Sequence, residues 1–294
     1  MDLGSGKEPG ALCDLRMNNT CAATLPPHHR AILSHTPYLT KPYISSGVAH
    51  YMIDIISPRT SYSAGAFVKR AQRTRTALWR ANILPIICGG THFWVQALLE
   101  NHTFPMVAPN PALRMRYATY DTTTLLKKLH SKDPHRANSI TAKGEQNNRH
   151  RIIRALEICN AVGTVRQTST TPPNPTTTLI LAVIPSMERI IENITRRLPP
   201  RLDAGMLNEV RTLHTEHHVP WTRLESYGLE YKWCTRYLRG HCTQQEMADG
   251  IIRESRQFAK RQLTWIRRWE RNGAQIYHIT TESEALSHAK IFLT

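Results

Sequence analysis

Acidic residues are scarce in this chain. Its 294 residues hold 22 Asp and Glu against 38 Lys and Arg, a formal charge of +16 at pH 7 with a pI near 9.9. An imbalance of that size points to a polyanionic partner or an anionic surface. Long apolar runs are also missing. The longest clean one, Leu179–Ile184, is six residues, far below the roughly 20 that a membrane-spanning helix needs. The opening MDLGSGKEPG has no apolar stretch, so no signal peptide is expected. Cysteine is sparse, at six, and no two form a C-x-x-C pair. This excludes a dense disulfide framework and the usual paired-cysteine zinc sites. A reducing, cytoplasmic setting is expected, with the sequons at Asn18, Asn101 and Asn193 incidental. A disordered chain is excluded too, because 40 % of the residues are apolar, enough for a real core.

What is present reads as alternating α and β segments. Residues 1–46 show no period and read as loop. Val48–Ile56 reads as a strand ending at Ser57-Pro58, and Ala64–Asn82 as a helix rich in Lys and Arg. Leu84–Cys88 reads as a short buried strand, followed by the turn Gly89-Gly90-Thr91 and a helix from His92. Strand, glycine turn, helix is the pattern of a parallel sheet. Residues 101–147 read as short helices punctuated by proline, with a stronger helix over 148–160. Thr164–Thr178 is a Thr/Pro linker, and Thr178–Ile184 a strand without alternation, hence buried on both faces. Helices are predicted over 187–215, 221–238 and 244–271, and a last strand over Ala274–Ile279. The expected segments are an irregular 1–46, a first α/β part 47–100, an inserted helical region 101–177, and 178–294 with a core strand and basic helices.

Two glycine stretches invite a phosphate. Gly4-Ser5-Gly6-Lys7 looks like the end of a Walker A loop, but Glu8 follows the lysine and no strand precedes it, so a plain glycine turn is the better reading. Gly89-Gly90-Thr91 is better placed, because free amides at a helix start favour an anion. The same residues would equally make a tight turn with Thr91 as the helix cap. Over Ile251–Arg271, Arg253, Arg256, Lys260, Arg267 and Arg271 fall on one helical stripe, flanked by Arg261 and Arg268. Like charges at that spacing repel by a few tenths of a kcal/mol each, so phosphate is a reasonable counterpart. Arg149, His150, Arg151 and Arg154 form a second cluster. His214, His217 and His218 lack a metal-binding spacing, and no metal ligands are assigned.

Several segments in order resemble the tRNA dimethylallyltransferases. Met1–Lys7 is similar to that family's M-D-I-G-T-x-K, and Gly47–Asp54 to G-[IV]-P-H-H-L-I-D. Ser61-Tyr62-Ser63-Ala64 with Phe67 resembles S-[YF]-S-A-x-x-F, and Leu84–Thr91 resembles L-P-I-[LI]-x-G-G-T. Arg149–Glu157 resembles R-R-x-[IL]-x-R-A-L-E, and Gly228–Trp233 the G-[YL]-x-x-x-W region. The longest block, Arg256–Arg267 (RQFAKRQLTWIR), resembles R-x-[LFY]-A-K-R-Q-x-T-W-[LF]-[RK].

The resemblance implies a P-loop NTPase-like parallel-sheet core with an inserted helical domain and a basic helical C-terminal region. It implies transfer of a dimethylallyl group from its diphosphate to N6 of the adenine 3′ to the anticodon. That base must leave its stack to be reached. Mg²⁺ and cationic groups would stabilise the departing diphosphate. Carried over by position, Thr91 lies at the reaction channel. Arg114, Arg149, His150, Arg151 and Arg154 contact tRNA, as do Arg256, Lys260 and Arg261 on the basic helix. Arg197 matches an arginine near the diphosphate, although Asn193 stands where an arginine is usual and Pro199-Pro200 interrupts that helix. The partners implied are the tRNA anticodon stem–loop and dimethylallyl diphosphate, met by a monomer in the cytoplasm. The family's first strand, its G-x-x-x-x-G-K-[ST] loop and its D-S-x-Q segment precede the stretch that matches Met1–Lys7. On that ground the expectation for these 294 residues is a weakened sheet with an exposed edge and no transfer, with two alternatives: an enzyme whose true start lies upstream of Met1, or a remnant that binds tRNA without modifying it.

Overall fold

The computed structural model describes residues 11–12, 42–164 and 172–294. The stretch Gly4–Lys7, both Cys13 and Cys21, and residues 165–171 of the expected linker lie outside them. The chain divides into two compact units, Met1–Asn101 with Thr171–Thr294, and His102–Thr170.

The discontinuous unit begins with short antiparallel strands, β1 (Ala11–Leu12), β2 (Tyr43–Ser45) and β3 (Val48–His50). β2 and β3 form a hairpin, with Tyr43 opposite His50 and Ser45 opposite Val48. Its two-residue turn, Ser46-Gly47, has φ of 48° and 75°, the doubly positive geometry that matches strand twist. Two expectations are corrected here. The stretch 1–46 is not all loop, since β1 and β2 lie in it. The strand expected over Val48–Ile56 stops at His50, because Met52 and Asp54 take φ of 68° and 50° and cannot continue a ladder.

Helix α1 (Ala64–Arg80) follows, capped by the Ser63 hydroxyl, which accepts from the Ala66 N–H at 3.2 Å. After it, Leu84–Cys88 forms no strand. Leu84 is 57 % and Ile86 is 86 % exposed, where a short buried strand was expected. No described strand pairs with it, and an apolar run becomes a buried strand only with neighbours on both sides. Helix α2 (His92–Leu99) then starts at the expected place.

The unit His102–Thr170 is helical, with α3 (Pro111–Ala118), α4 (Thr122–Lys132), α5 (Pro134–Ala142) and α6 (Arg149–Val162). Each has a polar cap: the Asn110, Asp121, Asp133 and Asn148 side chains all accept a first-turn amide. Pro111 and Pro134 occupy first-turn positions, where a missing N–H costs nothing. Leu125, Leu129, Ile152 and Leu156 are fully buried, each contributing about 1.5–3 kcal/mol of transfer free energy.

Back in the discontinuous unit, β4 (Leu181–Val183) pairs in parallel with β5 (Tyr277–Ile279), with Ala182 opposite His278. Five helices lie between them: α7 (Met187–Asp203), α8 (Met206–Thr215), α9 (Trp221–Ser226), α10 (Leu229–Leu238) and α11 (Gln244–Arg271). A last helix, α12 (Glu282–Leu293), follows β5. The two longer helices expected over 187–215 and 221–238 are each broken. Gly205 (φ 100°) and Gly228 (φ 77°) adopt left-handed backbone that helical residues avoid. Pro199 and Pro200, expected to interrupt the helix, are accommodated inside α7. They remove donors only to the carbonyls one turn back, and α7 ends three residues later. The core of this unit gathers Met206, Val210, Leu213, Val219, Leu224, Tyr231, Cys234, Met247 and Ile251 from α8 to α11. α11 opens with a capping box, Thr243 and Glu246 bonding each other's backbone N–H. Among the described residues no helix is long and apolar enough to cross a membrane.

Candidate functional site

The turn Gly89-Gly90-Thr91 is held against the middle of α11. A β-carbon on Gly90 would fall 3.0 Å from Oε1 of Gln262, so only glycine allows this approach without displacing that amide. Phe93 meets Trp265 edge to face, with centroids 6.0 Å apart. At the far end of α2, the Trp269 indole N–H donates to Glu100 Oε1 at 2.7 Å, and Gln96 Nε2 donates to the same oxygen at 2.7 Å. Two stretches far apart in sequence, G-G-T and A-K-R-Q-L-T-W, therefore form one surface.

Thr91 stands at the cap of α2, but its side chain makes no capping bond. Its carbonyl accepts from Trp94 N–H at 2.9 Å, and no described hydrogen bond engages the hydroxyl. Such a group suits a phosphate or polar base edge. The neighbouring His92 has its pKa lowered by burial, partly opposed by a bond to the Gly90 backbone. That keeps the ring neutral near pH 7 and adds no charge to the turn. Behind α2, Trp94 packs on Tyr62 and Phe67 at 5.8 and 5.1 Å. This explains the S-Y-S-A-x-x-F segment: Ser63 caps α1 and the two aromatic rings dock α2. Arg223 donates to the Thr60 carbonyl at 2.7 Å, and the Tyr227 hydroxyl donates to the Pro58 carbonyl, fixing the loop before α1.

The basic helix carries its charge outward. Arg256, Lys260, Arg261, Arg267 and Arg268 are exposed, and among the described residues none has an ion-pair partner. Arg268 lies over the Trp265 ring at 5.7 Å and Arg261 over Phe258 at 5.9 Å. Guanidinium groups resting on aromatic rings stay charged and keep their donors free.

The other cluster is arranged in the opposite way. Glu157 on α6 is buried and accepts from Arg114 Nε at 2.6 Å, Arg114 Nη2 at 3.0 Å, Arg154 Nη1 at 3.0 Å and the Asn110 N–H at 2.9 Å. Burial pushes its carboxyl up, but these donors outweigh burial and hold it at about 2. Arg154 also donates to the Val107 carbonyl at 2.7 Å. Arg149 donates to the carbonyls of Tyr120, Tyr117 and Ala118, the last two at 2.6 and 2.7 Å, closing the end of α3. Arg151 pairs with Glu145 at 2.6 Å. His150 is the exposed member. Arg197, on α7, shares Glu230 with Arg201 at 3.5 and 3.3 Å, and no described contact joins it to Thr91. The sequence reading missed Glu157, Glu100 and Gln262. A lone acid inside R-A-L-E, in a chain this basic, was the available signal for the first.

A family model described as IPP transferase matches residues 40–269. The chain is 32 % identical over 243 residues to a tRNA dimethylallyltransferase 2 of Trichlorobacter lovleyi, covering 83 % of this chain and 78 % of that one. It is 31 % identical over 279 residues to a tRNA dimethylallyltransferase 1 of Porphyromonas gingivalis, covering 95 % and 80 %. It is also similar to the crystal structure of the full-length tRNA isopentenylpyrophosphate transferase of Bacillus halodurans. That match has a TM-score of 0.54 and 27 % identity, and covers 85 % of this chain and 79 % of that one.

Proposed function

We infer, for a chain that belongs to the IPP transferase family, that it transfers a dimethylallyl group from dimethylallyl diphosphate to N6 of the adenine 3′ to the anticodon of tRNA. The observation that carries this reading is the packing of Gly89-Gly90-Thr91 against Gln262 and Trp265, which puts a polar helix start beside a row of uncommitted cations. In the step, the N6–C1 bond forms as the C1–O bond to the diphosphate breaks, charge grows on the leaving oxygen, and the proton displaced from N6 passes to water. Thr91 and the first-turn amides of α2 lie at the turn where an anion or base edge would be received. The outward cations of α11 hold the RNA backbone, chiefly through its phosphates. Aromatic rings at Phe93 and Trp265 offer an unstacked base a surface to lie on.

The proposal keeps a P-loop NTPase-like core, a monomer acting in the cytoplasm, Arg197 near the diphosphate, and RNA contacts at Arg114, Arg149, His150, Arg151 and Arg154. Of these, His150 has the freest side chain. Mg²⁺ belongs to it as well. Among the described residues no group of three or more His, Cys, Asp or Glu could hold a metal, so these residues do not by themselves build its site. The ion would arrive on the diphosphate oxygens.

A second reading, RNA binding without transfer, is favoured by the exposure of Leu84–Cys88, which leaves the glycine turn outside any described sheet. The test is incubation of the chain with tRNA and labelled dimethylallyl diphosphate. Label appearing on the adenine supports transfer. Its absence, with stem–loop binding retained, would sink transfer and leave the second reading.

A further inference from the structure

Three cations converge on one indole away from the glycine turn. Lys232, Arg236 and Arg253 lie 5.6, 5.1 and 5.3 Å from the centroid of Trp233. Trp233 sits on α10, only 8 % exposed. It is pressed against Gly250 of α11, where a β-carbon would fall 2.3 Å from the ring. This packing therefore fixes both helices and both arginines relative to one another. A ring quadrupole attracts cations but carries no net charge, so the cluster stays positive. One carboxylate forms a described ion pair with the cluster. Glu254 accepts from Lys232 at 2.6 Å. Burial pushes its carboxyl up, and the Lys232 bond and charge, with Arg253 adding to them, bring it below the ordinary range. Lys232 is thereby paired, while Arg236 and Arg253 are in no described ion pair. Among the described residues Arg236 and Arg253 have no carboxylate partner and no hydrogen-bond acceptor for their guanidinium groups. Arg253 also begins the stripe that continues through Arg256 and Lys260.

Resting on the RNA reading above, we propose that Arg236 and Arg253, held over Trp233, form a phosphate clamp for the RNA backbone that extends the α11 stripe onto α10. Two guanidiniums from different helices offer forked donors to phosphate oxygens. Their places are set by the ring before RNA arrives, so little side-chain entropy is lost on binding.

The test is binding of a fluorescent anticodon stem–loop RNA to the full chain, read by anisotropy over a range of salt. For R236Q/R253Q the slope of log affinity against log salt should fall by about 1.4–1.8, at roughly 0.7–0.9 for each phosphate no longer neutralised. R236K/R253K should keep the parent slope and bind a few-fold more weakly, because charge remains and the fork is gone. An unchanged slope in the glutamine variant overturns the clamp. If that variant does not fold, parent-like affinity in the lysine variant does so. R256Q/K260Q separates this from the reading beneath it. If that pair weakens binding and the Arg236/Arg253 pair does not, the clamp alone is wrong. If neither pair matters, the α11 interface itself is wrong and the clamp falls with it.

Discussion

Arginines at the start of α6 and arginines along α11 look alike in the sequence and do opposite work. On α6 the guanidiniums turn inward. Arg154, with Arg114 from α3, satisfies the buried Glu157, and Arg149 closes the carbonyl end of α3. On α11 they lie outward, over rings or in solvent, and none is in a described ion pair. An arginine takes on a structural task when a carboxylate or a set of orphan carbonyls is buried within its reach, and only its remaining donors are then open to a ligand. Otherwise it stays available to a ligand. Net charge alone does not distinguish the two.

The contrast can be broken by substitution, and the largest effect is expected at its hub. Glu157→Gln should destabilise the His102–Thr170 unit by about 3 kcal/mol. That is the low end for a broken buried ion pair, because Arg114 and Arg154 keep partial access to water. Chemical denaturation reads it, and a cost below about 0.5 kcal/mol would remove the distinction. The same carboxylate sets a pH dependence. Its folded pKa of about 2 lies below the ordinary 4.5, so its stabilisation is complete above 4.5 and is lost as pH falls from there toward 2. Melting curves should show that loss in the parent and a flatter profile in the Gln variant. Gly250→Ala, which drives a methyl into Trp233, should cost about 1–3 kcal/mol through overpacking. Arg149→Gln should cost about 1–2 kcal/mol through the removal of charge-assisted bonds to carbonyls. The smallest stability effect belongs to R256Q/K260Q, within about 0.5 kcal/mol. That variant should nonetheless lose RNA affinity and salt slope. Equal destabilisation by this pair and by Arg149→Gln would mean that the two clusters do not differ.

Much of the helical frame was legible because its signals are local. A basic stripe beside apolar residues at helical spacing pointed to α11, and a basic start with an apolar face pointed to α6. β4 and β5 were legible as short apolar segments, but the burial of β4 on both faces, expected from its lack of alternation, is not found, since Val183 is 70 % exposed. The breaks at Gly205 and Gly228 were not read, although both glycines were in view, because apolar periodicity ran past them. Leu84–Cys88 failed for a different reason: whether an apolar run is buried depends on which strands lie beside it, and no window of sequence contains that. Thr91 and the α11 cations were legible as candidates from motif and spacing. The engagement of Arg114, Arg149 and Arg154 was not, since it depends on hydrogen bonds between residues that lie 29 to 47 positions apart.

Gly250 and Trp269 mark two points where α11 cannot turn about its own axis. One is wedged under an indole, and the other is tethered to Glu100. They stand 19 residues apart, about 28 Å at 1.5 Å per residue. A shaft keyed at both ends has no torsional freedom between them. Arg253, Arg256, Lys260 and Arg267 therefore keep a fixed compass bearing and a fixed pitch, like graduations on a ruler. A flexible polyanion laid along it must adjust its own spacing to match.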